Sequence, residues 1–218
     1  MLRLFALYFP YNDRVHIWQL VTHMFMHGNL AHIMFNMFGL YTFGIHLERI
    51  WGAKRFLIFY FLSGIGAAAI FSGINVYEFG TFVSYLTSNN VPAETIQRFL
   101  DTGAPQSNLL RFLNVEEQTT FLSLYWSSMV GASGALYGVL VAFALLFPNA
   151  KMMLIFLPVP VAAKYFVPVL LLIDLFSGVT GFSLFGGGIA HFAHIGGAII
   201  GFLLMLYWRK KLPPRHYY

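Results

Sequence analysis

Ser133 lies among small residues in the segment GASGALYG (131–138), which an apolar run follows. A serine hydroxyl becomes a strong nucleophile when a base takes its proton, and histidine is the usual base near neutral pH. His194, in AHFAHIGGAIIG (190–201), could supply that base. Helix packing is the alternative, because small residues let membrane helices approach closely and Gly134 and Gly138 form a GxxxG pair. Packing accounts for the glycines but not for the serine.

Two further polar residues, His32 and Asn36, are four apart and therefore lie on one face of a helix. With the Ser133 backbone N–H, they could donate hydrogen bonds to the oxyanion that forms in acyl transfer. Each residue taken alone has a structural alternative, in which the serine bonds an i−4 carbonyl and the histidine satisfies a backbone group. Polar residues inside apolar spans are rare without a function, so their combination favours catalysis.

The composition places this chain in a membrane. Its 218 residues are 58% hydrophobic and 10% charged, with a mean hydropathy of +0.69, far outside the usual range for a soluble domain. The chain has no cysteine, which excludes disulfides, thiolate metal sites and a cysteine nucleophile. Five apolar windows are long enough to cross a bilayer as helices. They cover about 29–47, 56–76, 128–147, 152–176 and 187–208.

The fourth window contains several prolines and Lys164, so its helix is expected to begin near Lys164, with LPVPVAAK as an interfacial entry. Residues 77–123 are more polar and are predicted to form an extramembrane loop. Within that loop, one short helix is predicted from Pro92 through Phe99, and amphipathic helical spacing over 109–124 predicts another. Both are expected to lie on the membrane surface.

The basic residues predict the orientation of the spans. Nine of the thirteen follow the first, third and fifth spans: Arg49, Lys54, Arg55, Lys151, Lys164, Arg209, Lys210, Lys211 and Arg215. The four on the opposite side are Arg3, Arg14, Arg98 and Arg111. The excess puts the C-terminal tail in the cytoplasm and the 77–123 loop outside. Spans one, three and five then run inward from the same face, so their polar residues can meet at one depth. The basic residues are not arranged as a nucleic-acid-binding stripe.

Asp174 is the carboxylate lying well inside the apolar windows, near the outer end of the fourth span. The sequence does not decide whether Asp174 contacts His194. Tyr137, one turn after Ser133, could instead pack its ring against the imidazole and orient it. A Ser133–His194 dyad is therefore the simpler hypothesis.

These motifs resemble the rhomboid intramembrane serine proteases. The resemblance rests on HGNLAHIMFNMFGLYTFG (27–44), ERIWGAKRF (48–56), GASGALYG and AHFAHIGGAIIG, in the order and spacing of that family. It implies that residues 1–218 form a single membrane domain with the fold of a helical bundle. It also implies that this domain cleaves transmembrane segments of other membrane proteins. Ser133 would be the nucleophile and His194 the base, with His32, Asn36 and the Ser133 amide forming the oxyanion site. Gly131, Tyr137 and His191 would support the site, and Phe35 would line a lateral entrance for substrate near the first and fourth spans.

The resemblance is incomplete in two respects. The family core has six spans, so a helix is expected before MLRLFALYFP, and His191 occupies a position where relatives often carry asparagine. At that position His191 could assist the oxyanion or face water. The resemblance further implies a multi-pass protein of a bacterial inner membrane, with its site toward the outer face. Its partners would be transmembrane substrates and the bilayer, and the sequence does not indicate an oligomeric state.

Three alternatives remain at the level of sequence. A catalytically silent relative would bind transmembrane helices, but such relatives usually lose the serine or the histidine. A transporter or channel would need polar residues at both depths, whereas the inner halves of the spans are almost entirely apolar. A zinc protease would need HExxH, which is absent, although His23 and His27 have i, i+4 spacing that could bind a metal. No metal or organic cofactor is predicted, and a structural role is favoured for His23 and His27.

Overall fold

A computed structural model describes residues 1–154, 157–182 and 190–209. The helices are α1 (Leu2–Phe5), α2 (Gln19–Thr22), α3 (Leu30–Gly39), α4 (Ile45–Trp51), α5 (Ala53–Ser88), α6 (Ala93–Thr102), α7 (Ser107–Leu110), α8 (Val115–Trp126), α9 (Ser133–Leu146), α10 (Ala163–Thr180) and α11 (His191–Arg209). A 3₁₀ turn, His23–Phe25, follows α2. A π-helical segment, Leu40–Gly44, joins α3 to α4. The predicted start of the fifth span at 187 and the basic tail from 210 lie outside the described residues.

The described part of the chain is a helical membrane bundle, as predicted. Four helical stretches are long and apolar enough to span a bilayer, namely Leu30–Trp51, Ala53–Ser88, Ala163–Thr180 and His191–Trp208. The third predicted span, 128–147, is shorter in the structure. Its helix α9 has 14 residues, Ser133–Leu146, because residues 128–129 form a strand instead. A helix of 14 residues is only about 21 Å long, so α9 by itself does not match a hydrocarbon core of about 30 Å.

Two short antiparallel strand pairs flank α9. Strand β1 (Leu7–Tyr8) pairs with β2 (Ser128–Met129), and β3 (Lys151–Leu154) pairs with β4 (Leu157–Ala162). The first pair anchors the N-terminal segment directly before the serine motif. The second pair occupies most of the predicted interfacial entry, and α10 then begins at Ala163, one residue before the expected start at Lys164.

Helix α5 continues well past the predicted end of the second span at 76. Its 36 residues are about 54 Å long, roughly 24 Å more than a bilayer core requires. The polar residues after 76 mark the limit of the apolar stretch but do not break a helix. The helix ends only where Asn90 adopts a positive φ of 60° and Pro92 follows. The first twelve residues of the predicted loop, 77–88, therefore belong to α5.

Helices α6 to α8 (93–126), called the cap below, have a hydrophobic core of their own. Phe121 stacks on Phe79 of α5 at 4.8 Å between ring centroids and contacts Phe99 of α6 at 5.1 Å. The buried faces of α6 and α8 are therefore used against α5 and each other, whereas the sequence predicts helices lying on the membrane. The single helix predicted over 109–124 is divided, because Asn114 and Glu117 form a capping box that starts α8.

The centre of the bundle depends on close approach of α5, α9 and α11. A Cβ atom at Gly197 would lie 1.8 Å from the Gly134 carbonyl oxygen, and one at Gly201 would lie 2.5 Å from the Gly138 Cα. Real Cβ atoms do not approach other atoms so closely, so glycine is required at these crossings. This is the small-residue packing that the GxxxG pattern predicts, and it brings the first turns of α9 and α11 together.

Candidate active site

Ser133 and His194 are in direct contact. Ser133 is the first residue of α9 and His194 lies in the first turn of α11. Their side chains meet with the Ser133 Oγ 2.9 Å from the His194 Nε2. A hydroxyl at this distance can donate its proton to a neutral imidazole. The N–H groups of the first turn of a helix have no partners within that helix, so the Ser133 amide is also placed to donate a hydrogen bond.

Tyr137 packs flat against the His194 ring. The two ring centroids are 4.2 Å apart and the ring planes differ by 9°. Tyr137 is one turn after Ser133 on the same face of α9, which explains why one helix can hold both the hydroxyl and the ring that covers the imidazole. The stacking restricts rotation of His194 about its side-chain bonds and keeps its Nε2 directed at the serine.

Asp174 also contacts His194, whereas the hypothesis from the sequence is a dyad of Ser133 and His194 alone. The His194 Nδ1 lies 3.1 Å from the Asp174 Oδ1, and the carboxylate is buried, with 5% of the residue exposed. A carboxylate accepts hydrogen bonds, so the Nδ1 of His194 carries the proton and its Nε2 is free to accept one from Ser133. The structure therefore brings three residues, not two, into one hydrogen-bonded line.

The same carboxylate binds two more side chains. His191 places its Nδ1 2.5 Å from the Asp174 Oδ1, and the Tyr137 hydroxyl donates to the Asp174 Oδ2. His191 is therefore a partner of the aspartate. The sequence predicts that His191 assists the oxyanion or faces water, and neither role describes this contact. The sequence carries one signal for this arrangement, a carboxylate within an apolar span, but it does not show which residues the carboxylate contacts.

The side chains of His32 and Asn36 converge on Gly131, two residues before the serine. A Cβ atom at Gly131 would lie 2.6 Å from the His32 Nε2 and 3.4 Å from the Asn36 Nδ2, and Gly131 has a positive φ of 113°. Both the space and the backbone conformation require glycine here. The buried Asn36 Nδ2 has no hydrogen-bond partner among the described residues. An unpaired buried donor is costly, and this one lies beside Gly131.

The tautomer of His32 follows from its neighbours. The Gly28 backbone N–H donates to the His32 Nδ1 at 3.4 Å, which leaves the proton of the neutral ring on Nε2, the atom near Gly131. His32 is therefore a donor toward the same place as the Asn36 amide. Its backbone N–H donates to Asn29, the N-cap of α3, at 2.8 Å. The position of His32 is fixed from both directions.

His23 and His27 support this region from the segment before α3. The Gly131 N–H donates to the His23 carbonyl oxygen at 2.9 Å, and the His23 Nδ1 donates to the Gln19 carbonyl at 2.7 Å. Burial lowers the pKa of His23, partly offset by its hydrogen bond to Gln19. Burial also lowers the pKa of His27, and the neighbouring His32 lowers it further when protonated. The backbone contact between His23 and Gly131 has no signal in the sequence.

One group of three metal-ligating side chains occurs among the described residues, and it lies in this site. The ligand atoms of Asp174, His191 and His194 are within 4.8 Å of one another. The His23–His27 spacing does not produce a comparable group within the described ranges, and the His23 Nδ1 is engaged with Gln19.

The fold and the site define an integral membrane protein whose central helices enclose a serine, a histidine and an aspartate in contact. Comparison with known proteins agrees with this class. Residues 14–211 match the Rhomboid domain. The chain therefore belongs to the rhomboid family.

Several named relatives align with much of the chain. Rhomboid protease AarA of Providencia stuartii is 28% identical over 87% of this chain and 55% of its own length. Rhomboid protein 1 of Saccharomyces cerevisiae, a mitochondrial protein, is 28% identical over 86% of this chain and 41% of its own length. Rhomboid protease GlpG of Yersinia pestis is 28% identical over 62% of this chain and 51% of its own length. The chain spans about half the length of these relatives.

Proposed function

We propose that this protein is an intramembrane serine endopeptidase in which Ser133 is the nucleophile and His194 the general base. The observation that carries the proposal is the 2.9 Å contact between the Ser133 Oγ and the His194 Nε2, with the opposite ring nitrogen held by Asp174 at 3.1 Å. A serine, a base within hydrogen-bonding distance and a group that orients the base are the parts that activated nucleophiles require.

The reaction follows from these positions. His194 takes the proton of Ser133 as the hydroxyl attacks the scissile carbonyl carbon, and the carbonyl oxygen becomes an oxyanion. The Ser133 N–H, the Asn36 amide and the protonated Nε2 of His32 donate to that oxygen. His194 then gives its proton to the leaving amine, and an acyl-enzyme remains. A water molecule, deprotonated by His194, releases the acid and restores the serine.

Asp174 and Tyr137 act through His194 as positioning residues. Asp174 fixes the tautomer of the ring and faces the positive charge that develops when the imidazole takes the serine proton. Tyr137 holds the ring plane and, through its hydroxyl, the carboxylate. Each contact reduces the rotational freedom that His194 would otherwise lose in the transition state.

The substrate class we propose is the transmembrane segment of another membrane protein. The outer surface of the bundle carries many exposed apolar side chains, and we propose that substrate reaches the site laterally, between α3 and α10. Phe35 of α3 is half exposed beside this approach, and Val169 and Leu172 of α10 are exposed at 54% and 64%. An apolar helix in the bilayer can contact these side chains without losing contact with lipid. Small residues around Ser133 let a substrate backbone reach the hydroxyl.

The proposed orientation places the site toward the outer face of the membrane, in a bacterial inner membrane. The first turns of α3, α9 and α11 carry the site, whereas Arg49 and Lys54 lie at the opposite end of the bundle, where α4 ends and α5 begins. Trp51 and Trp208 are in contact at that same end, with ring centroids 5.4 Å apart. The positive end should face the cytoplasm. If the C-terminal end of α9 reaches the cytoplasmic boundary of the bilayer, its 14 residues are too short to reach the outer boundary. Ser133, at the N-terminal end of α9, then lies below the outer lipid surface.

The test is hydrolysis of a fluorogenic transmembrane substrate in proteoliposomes, combined with labelling by a fluorophosphonate probe. Ser133→Ala should lower kcat by at least about 1,000-fold and abolish labelling, and His194→Ala should do the same. Ser63→Ala is the matched control, since Ser63 is a buried serine of α5, and it should retain both. Labelling that persists in Ser133→Ala would refute the assigned nucleophile. A folded parent protein that neither cleaves nor labels would support a silent, helix-binding relative.

A further inference from the structure

The aspartate beside the candidate base is surrounded by more ligand atoms than a serine protease needs. His194 and His191 both direct their Nδ1 atoms at the same oxygen of Asp174, at 3.1 Å and 2.5 Å. The second oxygen of the carboxylate is occupied by the Tyr137 hydroxyl. The hydrolytic mechanism uses the His194 contact and has no step for His191. His191 therefore requires a separate explanation.

We propose that Asp174, His191 and His194 form an inhibitory binding site for a divalent transition-metal ion of the zinc class. Two imidazole nitrogens and one carboxylate oxygen are borderline-soft and hard ligands that suit Zn²⁺, with a water molecule as the fourth ligand. The inhibitory part of this inference rests on the proposed function, whereas the binding part does not.

The geometry is close to what such a site needs. Zinc bonds of about 2.0–2.2 Å in a tetrahedral arrangement put neighbouring ligand atoms about 3.3–3.5 Å apart. The three ligand atoms here lie within 4.8 Å of one another, and two of the pairs are closer than the tetrahedral spacing. Small side-chain rotations that move the two histidine Nδ1 atoms away from the Asp174 Oδ1 would make room for the ion. His191 and His194 are i and i+3 on α11, so one helix presents both rings to α10.

The surroundings favour occupancy over a chance cluster. Asp174 is 5% exposed and His194 is 9% exposed, so a bound ion is shielded from bulk water on the bundle side. The Tyr137 hydroxyl fixes the carboxylate as a hydrogen-bonded outer-shell group fixes a metal ligand. The side chain of His191, the first residue of α11, is only 10% exposed, so the cluster is shielded on this side as well.

Metal binding would stop catalysis by reversing a hydrogen bond. A neutral imidazole that ligates through Nδ1 carries its proton on Nε2. His194 bound in this way would move its proton from Nδ1 to Nε2 and become a donor toward Ser133 instead of an acceptor. It could not take the serine proton while the ion is present. His191 would undergo the same change of tautomer, so no net release of protons is required at neutral pH.

The binding test uses the full chain carrying Ser133→Ala, with any affinity tag removed, titrated with ZnCl₂ by isothermal calorimetry. We expect one equivalent of Zn²⁺ to bind and Mg²⁺ not to compete. Replacement of an outer-shell group typically costs 10–100-fold in affinity, so loss of a direct ligand in His191→Asn should weaken binding by at least about 100-fold. The matched control is His16→Asn, because His16 is an exposed histidine stacked on Trp18 far from the cluster. It should bind as the parent does.

Equal affinity in the His191→Asn protein, or an equal loss in His16→Asn, would overturn the site. Should His191→Asn fail to fold, Co²⁺ added to the parent decides the matter: tetrahedral absorption supports the site and octahedral absorption overturns it. In the active protein, Zn²⁺ should lower kcat with little change in KM, and a chelator should restore activity. Zinc binding by a protein that cleaves no substrate even after treatment with a chelator would contradict the proposed function alone, and proteolysis by a protein that binds no zinc would contradict this inference alone.

Discussion

Replacement of Asp174 by asparagine tests whether the carboxylate contributes to the reaction. Asparagine has nearly the same shape and can still accept from the His194 Nδ1, but it carries no charge. The substitution therefore replaces a charge-assisted hydrogen bond of 3.1 Å with a neutral one. Hydrogen bonds to charged groups contribute about 1.5–3 kcal/mol and neutral ones about 0.5–1.5 kcal/mol, so the exchange removes about 1–1.5 kcal/mol. Since each 1.36 kcal/mol is a factor of ten in rate, kcat should fall by about 5- to 13-fold.

The loss should be smaller than that for Ser133→Ala, because the Tyr137 ring still holds the imidazole by stacking at 4.2 Å. The effect should also fall on kcat with KM nearly unchanged, since Asp174 is buried behind His194 and away from the substrate. The assay is initial-rate hydrolysis of a transmembrane substrate in proteoliposomes, with the rate of fluorophosphonate labelling as a second measure. Asp101→Asn is the control, because Asp101 is an exposed carboxylate of the cap bonded to Gln97.

Two outcomes would refute this reasoning. A folded Asp174→Asn protein whose kcat stays within about twofold of the parent, a difference under about 0.5 kcal/mol, would show that His194 does not depend on the carboxylate. A rise in KM with kcat unchanged would assign Asp174 to substrate binding. A melting temperature close to that of the parent is needed to separate either result from partial unfolding.

Three further predictions concern packing, the oxyanion site and pH. Gly197→Ala should lower the free energy of unfolding by about 1–3 kcal/mol or more, because its Cβ would lie 1.8 Å from a backbone oxygen of α9. Gly73→Ala in α5, where no heavy atom lies within 4 Å of the added Cβ, should be neutral or stabilising by up to about 1 kcal/mol in a melting assay. Gly131→Ala should lower kcat by about 10- to 100-fold, since the new methyl displaces the His32 donor. For His23, burial lowers the pKa, so the unfolded chain binds its proton more readily. Stability should therefore be complete above about pH 6.5 and fall as the pH drops below that value. His23→Gln should show a flatter dependence of melting temperature on pH.

Each of these predictions has a result that contradicts it. If Gly197→Ala and Gly73→Ala melt at the same temperature, the helices are not in the close contact described. If the alanine at Gly131 leaves kcat unchanged, the His32 and Asn36 donors do not act at that position. If the acid sensitivity of the parent survives intact in His23→Gln, it comes from other groups.

Local patterns are enough to predict the membrane class, the helical bundle and the family. Apolar windows of about 20 residues report on the bilayer directly, because lipid requires every backbone group of a spanning segment to be bonded within it. The i, i+4 spacing of His32 and Asn36 places them on one face of a helix, and this does not depend on the tertiary structure. The small residues around Ser133 likewise predict a close helix crossing, and the structure has one.

The limits of the helices are less accessible to the sequence. Hydropathy predicts the end of the second span at 76, but α5 continues to Ser88 because polarity alone does not break a helix. The third span begins at Ser133 and not at 128, since Ser128 and Met129 pair with the N-terminal segment. That pairing joins residues more than a hundred positions apart, and no local pattern reports it.

The partners of Asp174 are decided by the tertiary structure alone. The sequence marks this carboxylate as unusual within its span, but the groups it contacts lie on α9 and α11, 17 to 37 positions away in the chain. Which of them it meets depends on the rotation of α10 about its axis and its depth in the bundle. Both are set by the packing of many apolar side chains at once. Residue types and spacing thus determine the chemistry that is available, and the packing of the helices decides which atoms stand within reach of one another.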